Sequence, residues 1–467
     1  MQRVNLKNKK IFVLGLGKTG VAVARLLHQL GNQVTVNDLN DLSGDEAYDT
    51  LKEEFKQKEI QLITGHHPVD LLDDSFDFFI KNPGIPYTNV MVEQALALNL
   101  PVITDIELVE WLVEAPIVAI TGSNGKTTTT EMTAAILKEA LNHRLKLGGN
   151  IGIPMGDIIP TINEEDTVLM EVSSFQLVGT ETFKPHIAAI TNLHGAHYDY
   201  HGGRDQYLQA KYQITKNQTS SDYLVYNANE SAVIELTSES KAIKVPYNAL
   251  DKTNNGASFD GSMFYFNGEQ VSSREVLKVP GQQNVENALI AIAIAKLLHI
   301  DNSIIQIGLS QFKGVKHRLQ FVKQWKNRLI YNDSKATNTT ATKIALESFT
   351  QPTVLIAGGL ERHEDLSRLD NSLSHVKHAV VYGEIKKRLA DYFTTHGIPV
   401  TIVNRLNEAT EEALKQTVDE DILLLSPSAA SWDQFKSFEE RGDCFLSYIE
   451  QLTNIENEVG EFDATNE

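Results

Sequence analysis

The sequence predicts a three-domain α/β protein whose mostly parallel sheets are flanked by helices, and three observations lead there. Short apolar runs, each closed by glycine or a polar residue, alternate with helical patterns along nearly the whole chain, as strands buried on both faces require. Two of these runs, at Ile11 and Ile117, lead through glycine-bearing turns into helices, and a third α/β pattern begins near Leu329. At 467 residues the chain is too long for one ordinary core.

In order, the runs include Ile11–Leu14, Val34–Val36, Ile117–Ile120, Val168–Met170, Ile187–Ile190, Val354–Ala357, Ala379–Tyr382 and Ile422–Leu425. Apolar residues at three- and four-residue spacing predict helices over Thr127–Leu141 and Val285–Leu298. Between Asp222 and Pro280 the pattern turns polar and β-rich, with turn signals at Asn254–Gly256 and Asn267-Gly268, and reads as an excursion within the middle domain. Boundaries are expected near residues 104 and 314, giving domains 1–104, 105–314 and 315–467. The stretch after Asn454, rich in Glu, Asn and Asp, is expected to be disordered.

Composition narrows the function. Lys plus Arg number 42 and Asp plus Glu 61, a net charge of −19. That sign argues against a nucleic-acid partner but leaves room for a local anion site built from backbone amides and a few lysines. The single cysteine, Cys444, excludes an intramolecular disulfide and a four-cysteine zinc site. Met1–Lys10 is polar and runs straight into a strand, so no signal peptide is expected. No stretch approaches the ~18 consecutive apolar residues of a membrane span. A soluble cytoplasmic protein is expected, by default a monomer, with neither membrane nor nucleic acid as partner.

The first glycine loop, Gly15–Gly20, follows a strand and opens a helix, with Asp38 closing the next strand. Such a loop lets a diphosphate approach the free amides of a helix N-terminus. It suits a dinucleotide cofactor, yet glycines needed only for strand–helix packing read the same way. It fixes a fold and leaves the ligand open.

The second loop says more. In Thr121-Gly122-Ser123-Asn124-Gly125-Lys126-Thr127, the two glycines let successive amides curl around phosphate oxygens. Lys126 brings a positive charge to the β- and γ-phosphates, and the Thr127 hydroxyl can hold Mg²⁺. Thr121 stands where the usual P-loop has a further glycine, so this is a shortened Gly-x-x-Gly-Lys-Thr variant that predicts nucleoside triphosphate binding. Glu171 closes a strand of the same sheet, and His197 lies in the polar segment Asn192–His201 after another. A histidine beside Mg²⁺, an ion that prefers oxygen, hints at a second ion. Asp333 and Lys335, within Tyr331–Asn338, suit an anion or a phosphoryl transition state, or else a solvated loop. Ser426–Ser431, after Ile422–Leu425, is a further ligand loop, so three ligands meeting between three domains are expected.

Together these motifs resemble the Mur ligase family over essentially the whole chain, most nearly its D-glutamate-adding members. The likeness is carried by Gly15–Gly20, Asn82–Pro86, Thr121–Thr127, Gly148–Gly152, Glu171–Gln176, Asn284–Asn287, His317-Arg318, Asn332–Asn338 and Ser426–Gly442. The resemblance implies Rossmann-like N- and C-terminal domains around a central P-loop ATPase-type domain. The first loop then binds UDP rather than NAD, with Gly17, Lys18 and Thr19 at the diphosphate and Asp38, Leu39 and Asn40 at the uracil. Asn82, Gly84, Asn150, Ser173, Gln176 and His197 become contacts of the UDP-substrate. Gly122–Thr128, Asn287, Arg318 and Asp333 hold ATP, with Asn287 at the adenine. Thr127, Glu171, His197 and Lys211 surround two Mg²⁺ ions, Lys211 as the carbamate that CO₂ forms on it. Lys335, Thr337, Arg362, Ser431 and Phe438 receive D-glutamate. Catalysis is thereby implied for Lys126, Glu171, His197, Lys211 and Lys335.

The implied reaction, in peptidoglycan precursor synthesis, adds D-glutamate to UDP-N-acetylmuramoyl-L-alanine through an acyl phosphate made from ATP. One departure stands out: some members carry Gly-Lys where this chain has Glu361-Arg362, and an arginine there can grip a carboxylate bidentately. A nicotinamide-dependent dehydrogenase leaves Lys126 and Thr127 without a task, and a regulatory triphosphate switch makes no amide.

Overall fold

The computed structural model describes residues 6–193 and 198–463. They form two compact units, one of 1–274 with 286–309 and the other of 275–285 with 310–467. The first unit holds two sheets. In the smaller, β1 (Lys10–Leu14), β2 (Gln33–Asp38), β3 (Gln61–Thr64), β4 (Phe78–Lys81) and β5 (Val102–Ile103) lie parallel in the order β3-β2-β1-β4-β5. The chain leaves β1 toward one edge and returns to place β4 on its other side. That reversal opens a crevice at the carboxyl ends of β1 and β4, where α/β sheets bind ligands.

The larger sheet has nine strands: β6 (Ile117–Thr121), β7 (Leu145–Gly149), β8 (Thr167–Glu171), β9 (Ile187–Ile190), β10 (Tyr223–Asn227), β11 (Ile243–Asn248), β12 (Ala257–Phe259), β13 (Met263–Phe266) and β14 (Glu269–Ser273). Their order is β14-β13-β12-β11-β10-β9-β6-β8-β7, antiparallel only at the β12-β13-β14 end. The polar β-rich stretch therefore extends the central sheet. Asn267 and Gly268, with φ of 49° and 82°, make the two-residue turn between β13 and β14. Because β6 lies between β8 and β9, the loop after β6 is flanked by the ends of both.

The boundary expected near 104 falls on a closely bonded seam. The Thr104 hydroxyl donates to the Gln176 carbonyl at 2.7 Å. Buried Glu107 accepts the amides of Glu181, Thr182 and Phe183 at 3.0, 2.8 and 3.3 Å. Gly156 lies against the backbone of Ala22 with no room for a Cβ. A carboxylate buried this way needs every one of those donors, which is why the two sheets belong to one unit.

In the second unit, β15 (Gln320–Trp325), β16 (Arg328–Asn332), β17 (Thr353–Gly358), β18 (Val376–Tyr382), β19 (Val400–Ile402) and β20 (Ile422–Leu425) run in the order β15-β16-β20-β17-β18-β19. Only β15 is antiparallel. The last strand inserts between β16 and β17, so three loops distant in sequence open side by side at one sheet edge. The final helix, Phe438–Asp463, buries Phe445 and Ile449 in this unit, and residues 464–467 of the stretch after Asn454 lie outside the described residues. Among the described residues, no helix is long and apolar enough to cross a membrane.

Candidate active site

The turn after β6 is held open by its glycines. Gly122 and Gly125 have φ of 147° and 80°, and a Cβ on either would press on Thr191 or on the Asn287 amide. The end of β9 braces the turn: the Ser123 amide donates to the Asn192 carbonyl (2.8 Å) and the Asn124 amide to the Asn192 side chain (2.9 Å). The Thr191 hydroxyl donates to the Asn124 carbonyl at 2.6 Å, and the Ser123 and Tyr207 hydroxyls lie 2.6 Å apart. Asn287 accepts from the buried Thr129 hydroxyl at 2.9 Å. Lys126, first residue of the helix Lys126–Leu141, curls back to donate to the carbonyls of Gly122 (2.9 Å) and Ser123 (3.0 Å). Thr127 and Thr128 follow it, half-buried.

Two further groups reach this turn. Glu171, only 1% exposed, accepts from the Asn150 side-chain amide at 2.7 Å through Oε1, while its buried Oε2 has no protein partner. A sealed carboxylate with an open oxygen suits a hard cation. Lys211, also 1% exposed, donates to the same Gly122 carbonyl at 2.7 Å and lies 4.9 Å over the Tyr207 ring. Burial, and then the charge of Lys126, push its pKa well below the usual lysine range, against the pull of Glu171. That shift favours the neutral, nucleophilic form of the amine over its ammonium. His197 lies outside the described residues. Among the described residues no three His, Cys, Asp or Glu side chains gather as a metal site, so oxygen donors such as Glu171 and Thr127 are what the turn offers an ion.

At the first crevice, Gly17 caps the helix Lys18–Gln29, which places Lys18 and Thr19 in its opening turn. Asp38 accepts the Leu16 amide at 2.8 Å and both donors of Asn40 at 2.9 Å, tying the loops after β1 and β2 together. Leu39 beside it is 58% exposed, an apolar shelf. The Asn82 side chain packs against Gly15 and Gly17, and Gly84 follows on the same loop. Ser173 and Gln176 form a capping box, Gln176 also reaching Asp105 at 3.4 Å, so both lock the turn after β8.

Sequence reasoning missed Thr191 and Tyr207, and it missed Lys81. That buried lysine donates to the carbonyls of Pro83 (3.1 Å) and Ile85 (2.9 Å) and contacts the Tyr200 hydroxyl at 3.1 Å. Desolvation lowers its pKa to about 8. The one available signal was a lysine ending a strand immediately before Asn82-Pro83-Gly84.

In the second unit, Lys335 and Thr337 follow β16, Arg362 follows β17, and Ser431 and Phe438 follow β20. Lys335 lies 5.0 Å over the Phe438 ring, and Ser431 is buried. Beneath these loops is another residue the sequence did not single out. Arg441, fully buried, donates to the Ser334 hydroxyl (3.0 Å) and to the carbonyls of Ser334 (2.8 Å), Ala429 (3.0 Å) and Gly358 (3.4 Å), stitching all three loops together. Each orphaned buried acceptor costs about 1–3 kcal/mol. Arg441→Met is therefore expected to destabilise the protein by at least about 3 kcal/mol, read from its urea unfolding curve.

Asp333 accepts the Leu319 amide at 3.1 Å and the Ser426 hydroxyl at 2.9 Å, and burial raises its pKa to about 7 despite Arg318 and Arg441 nearby. The folded protein thus holds a proton that the unfolded chain releases near pH 4. The stabilisation this lends is complete below about pH 4 and lost as pH climbs through about 7. Asp333→Asn is expected to flatten that fall in unfolding free energy, followed by urea titrations at stepped pH.

Comparison with known proteins places the chain in a family. Family models match in three stretches: the Mur ligase MurD-like N-terminal domain over 9–104, the Mur ligase middle domain over 120–295 and the Mur ligase glutamate ligase domain over 317–429. Among curated relatives, a UDP-N-acetylmuramoylalanine–D-glutamate ligase of Listeria monocytogenes serotype 4b is 43% identical over 95% of this chain and 97% of its own length. One so named from Streptococcus pneumoniae is 45% identical over 96% and 98%. In fold, the chain is similar to a UDP-N-acetylmuramate–alanine ligase of Thermotoga maritima, with TM-score 0.56 and 20% identity over 95% of this chain and 100% of that one. It is also similar to a Thermotoga maritima MurF ligase solved with ADP, at TM-score 0.54 and 16% identity over 95% and 96%.

Proposed function

The chain belongs to the Mur ligase family, and from that premise we propose that it is an ATP-dependent, ADP-forming ligase of peptidoglycan precursor synthesis that joins D-glutamate to UDP-N-acetylmuramoyl-L-alanine. The observation that carries the chemistry is the convergence of Lys126, Lys211 and the open oxygen of Glu171 on one glycine turn. The substrate is carried by near-full-length likeness to ligases named for it.

Amides of the turn Gly122–Gly125 and the opening of the helix after it take the ATP phosphates, with Asn287 toward the adenine and Arg318 and Asp333 toward ribose and phosphates. Lys126 exchanges its two carbonyl partners for phosphate oxygens and neutralises charge as it moves. A carboxylate oxygen of the L-alanyl group attacks the γ-phosphorus, and the bond to ADP breaks, leaving an acyl phosphate. The D-glutamate amine then attacks the acyl carbon. The tetrahedral intermediate expels phosphate, the nitrogen loses a proton, and the amide remains. Positioning and charge neutralisation do most of this.

Glu171 and Thr127, with His197 by family likeness, suit Mg²⁺, whose charge offsets repulsion between phosphate and carboxylate. The Lys211 amine, in its neutral form, adds to CO₂, forming an N–C bond and releasing one proton, so that a carbamate anion replaces an amine where cations gather. Gly17, Lys18 and Thr19 take the substrate's diphosphate, and Asp38, Leu39 and Asn40 its uracil, so the first loop needs no nicotinamide. Asn82, Gly84, Asn150, Ser173 and Gln176 shape the path of the sugar and peptide. Lys335, Thr337, Arg362, Ser431 and Phe438 receive D-glutamate. The enzyme works as a single cytoplasmic chain.

The test is phosphate release from ATP and Mg²⁺ with UDP-N-acetylmuramoyl-L-alanine, comparing D-glutamate, L-glutamate, L-alanine and L-lysine. Release that depends on D-glutamate alone is expected. Release with another amino acid would keep the ligase and overturn the acceptor; none with any would overturn the ligase.

A further inference from the structure

Trp432 is 63% exposed, whereas Trp111 and Trp325 are 8% and 6% exposed. A large aromatic ring left in solvent is worth explaining when it directly follows Ser431, a proposed contact of the incoming amino acid. Its neighbour is Arg362, whose guanidinium lies 4.6 Å from the centre of the Trp432 ring. Among the described residues, no hydrogen bond or ion pair of Arg362 accompanies that cation–π contact. The nearby acid is engaged elsewhere: Glu361 Oε1 accepts from Arg388 at 2.8 Å and from the His363 amide at 2.6 Å. The two loops are joined where the Leu360 amide donates to the Ala430 carbonyl at 2.9 Å, two residues before Arg362 and Trp432 respectively.

A guanidinium bound by its face keeps its in-plane N–H fork free, and that fork is the part that matches a carboxylate. We propose that Trp432 is the positioning residue for Arg362, holding the guanidinium by one face so that its fork meets the side-chain carboxylate of the incoming D-glutamate. The inference rests on the D-glutamate reading above and adds to it a residue that touches no reacting atom. Trp432 sets how often Arg362 is ready, so its loss weakens capture of the amino acid without slowing the chemistry that follows.

An exposed cation–π contact is worth about a two- to fivefold change in an equilibrium constant. Trp432→Leu is therefore expected to raise KM for D-glutamate about threefold, with kcat and the KM for ATP unchanged. Trp432→Phe, which keeps an aromatic face, recovers most of that loss. Tryptophan fluorescence gives a second readout: with ADP and UDP-N-acetylmuramoyl-L-alanine present, D-glutamate shifts the wild-type emission, and Trp432→Phe abolishes the shift. An unchanged KM for D-glutamate in Trp432→Leu would overturn the proposal. So would a joint fall in kcat and rise in every KM, which marks structural damage. A wild-type enzyme without D-glutamate-dependent phosphate release would instead overturn the substrate reading, and this proposal with it.

Discussion

Replacing Lys126 with methionine is expected to slow D-glutamate-dependent phosphate release by about 10²–10³-fold, the usual loss when one preorganised charge is taken from a transition state. The size follows from where the amine sits. In the structure Lys126 donates to two carbonyls of the turn it follows, Gly122 and Ser123, and is half-buried there. Those bonds are internal to the turn, and each is worth only about 0.5–1.5 kcal/mol net. Methionine keeps the length of the side chain, so the urea unfolding midpoint should move little. Steady-state kinetics with saturating UDP-substrate and D-glutamate separates the two effects. A variant within tenfold of wild type would mean that phosphate charge is neutralised elsewhere and that the turn is mainly structural.

The second large effect is expected at Lys211, and it has an unusual signature: activity falls while stability rises. Lys211→Met should lose about 10²–10³-fold in rate, by the same electrostatic reasoning, because it cannot form the carbamate anion. Yet burial, and then Lys126, depress the pKa of the wild-type amine, so the folded chain holds that proton less tightly than the unfolded chain does. A group whose folded pKa lies below its unfolded value weakens the fold at neutral pH, and the penalty fades as pH rises toward the unfolded value near 10.4. Methionine removes that penalty. In buffer free of CO₂ the variant should be at least as stable as wild type at pH 7, and its stability should depend less on pH above that. Wild-type activity should decline in the same buffer and return with bicarbonate, and ¹³CO₂ should give a carbamate carbon resonance absent from Lys211→Met. A variant that is both active and carbamate-free would remove Lys211 from the mechanism.

Much of the site was readable before any fold, for reasons that differ from loop to loop. Gly122 and Gly125 were legible because only glycine tolerates the backbone such a turn needs, and both adopt positive φ. Glu171 was legible as a carboxylate that ends an apolar strand, and the structure adds that its Oε2 is buried without a protein partner. The strands were legible because both-face burial demands continuous apolar runs. Ile187–Ile190 and Ile422–Leu425 occupy the residues expected, and the others run one to three residues further at their ends, where polar but buried residues such as Thr121, Glu171 and Thr353 continue the strand. Ser173 and Gln176 also close a capping box that locks the turn after β8, a local role that their three-residue spacing carries.

By itself, then, the sequence determined the α/β class, the glycine turn after β6, the excess of negative charge and a family likeness spread along the chain. These are properties of neighbouring residues and of composition, and they survive without knowing what packs against what. Only the tertiary structure decided that Lys211, 89 residues from Gly122, donates to its carbonyl. Only strand order could do so for Thr191, which braces the turn because β9 pairs with β6. In the second unit, β20 inserts between β16 and β17 and brings Arg441 beneath three loops that no local pattern connects. The physical reason is common to all three cases. A buried polar group must find its partner wherever the fold places one, and that partner's position is set by strand order and burial, neither of which is written at any single point of the chain.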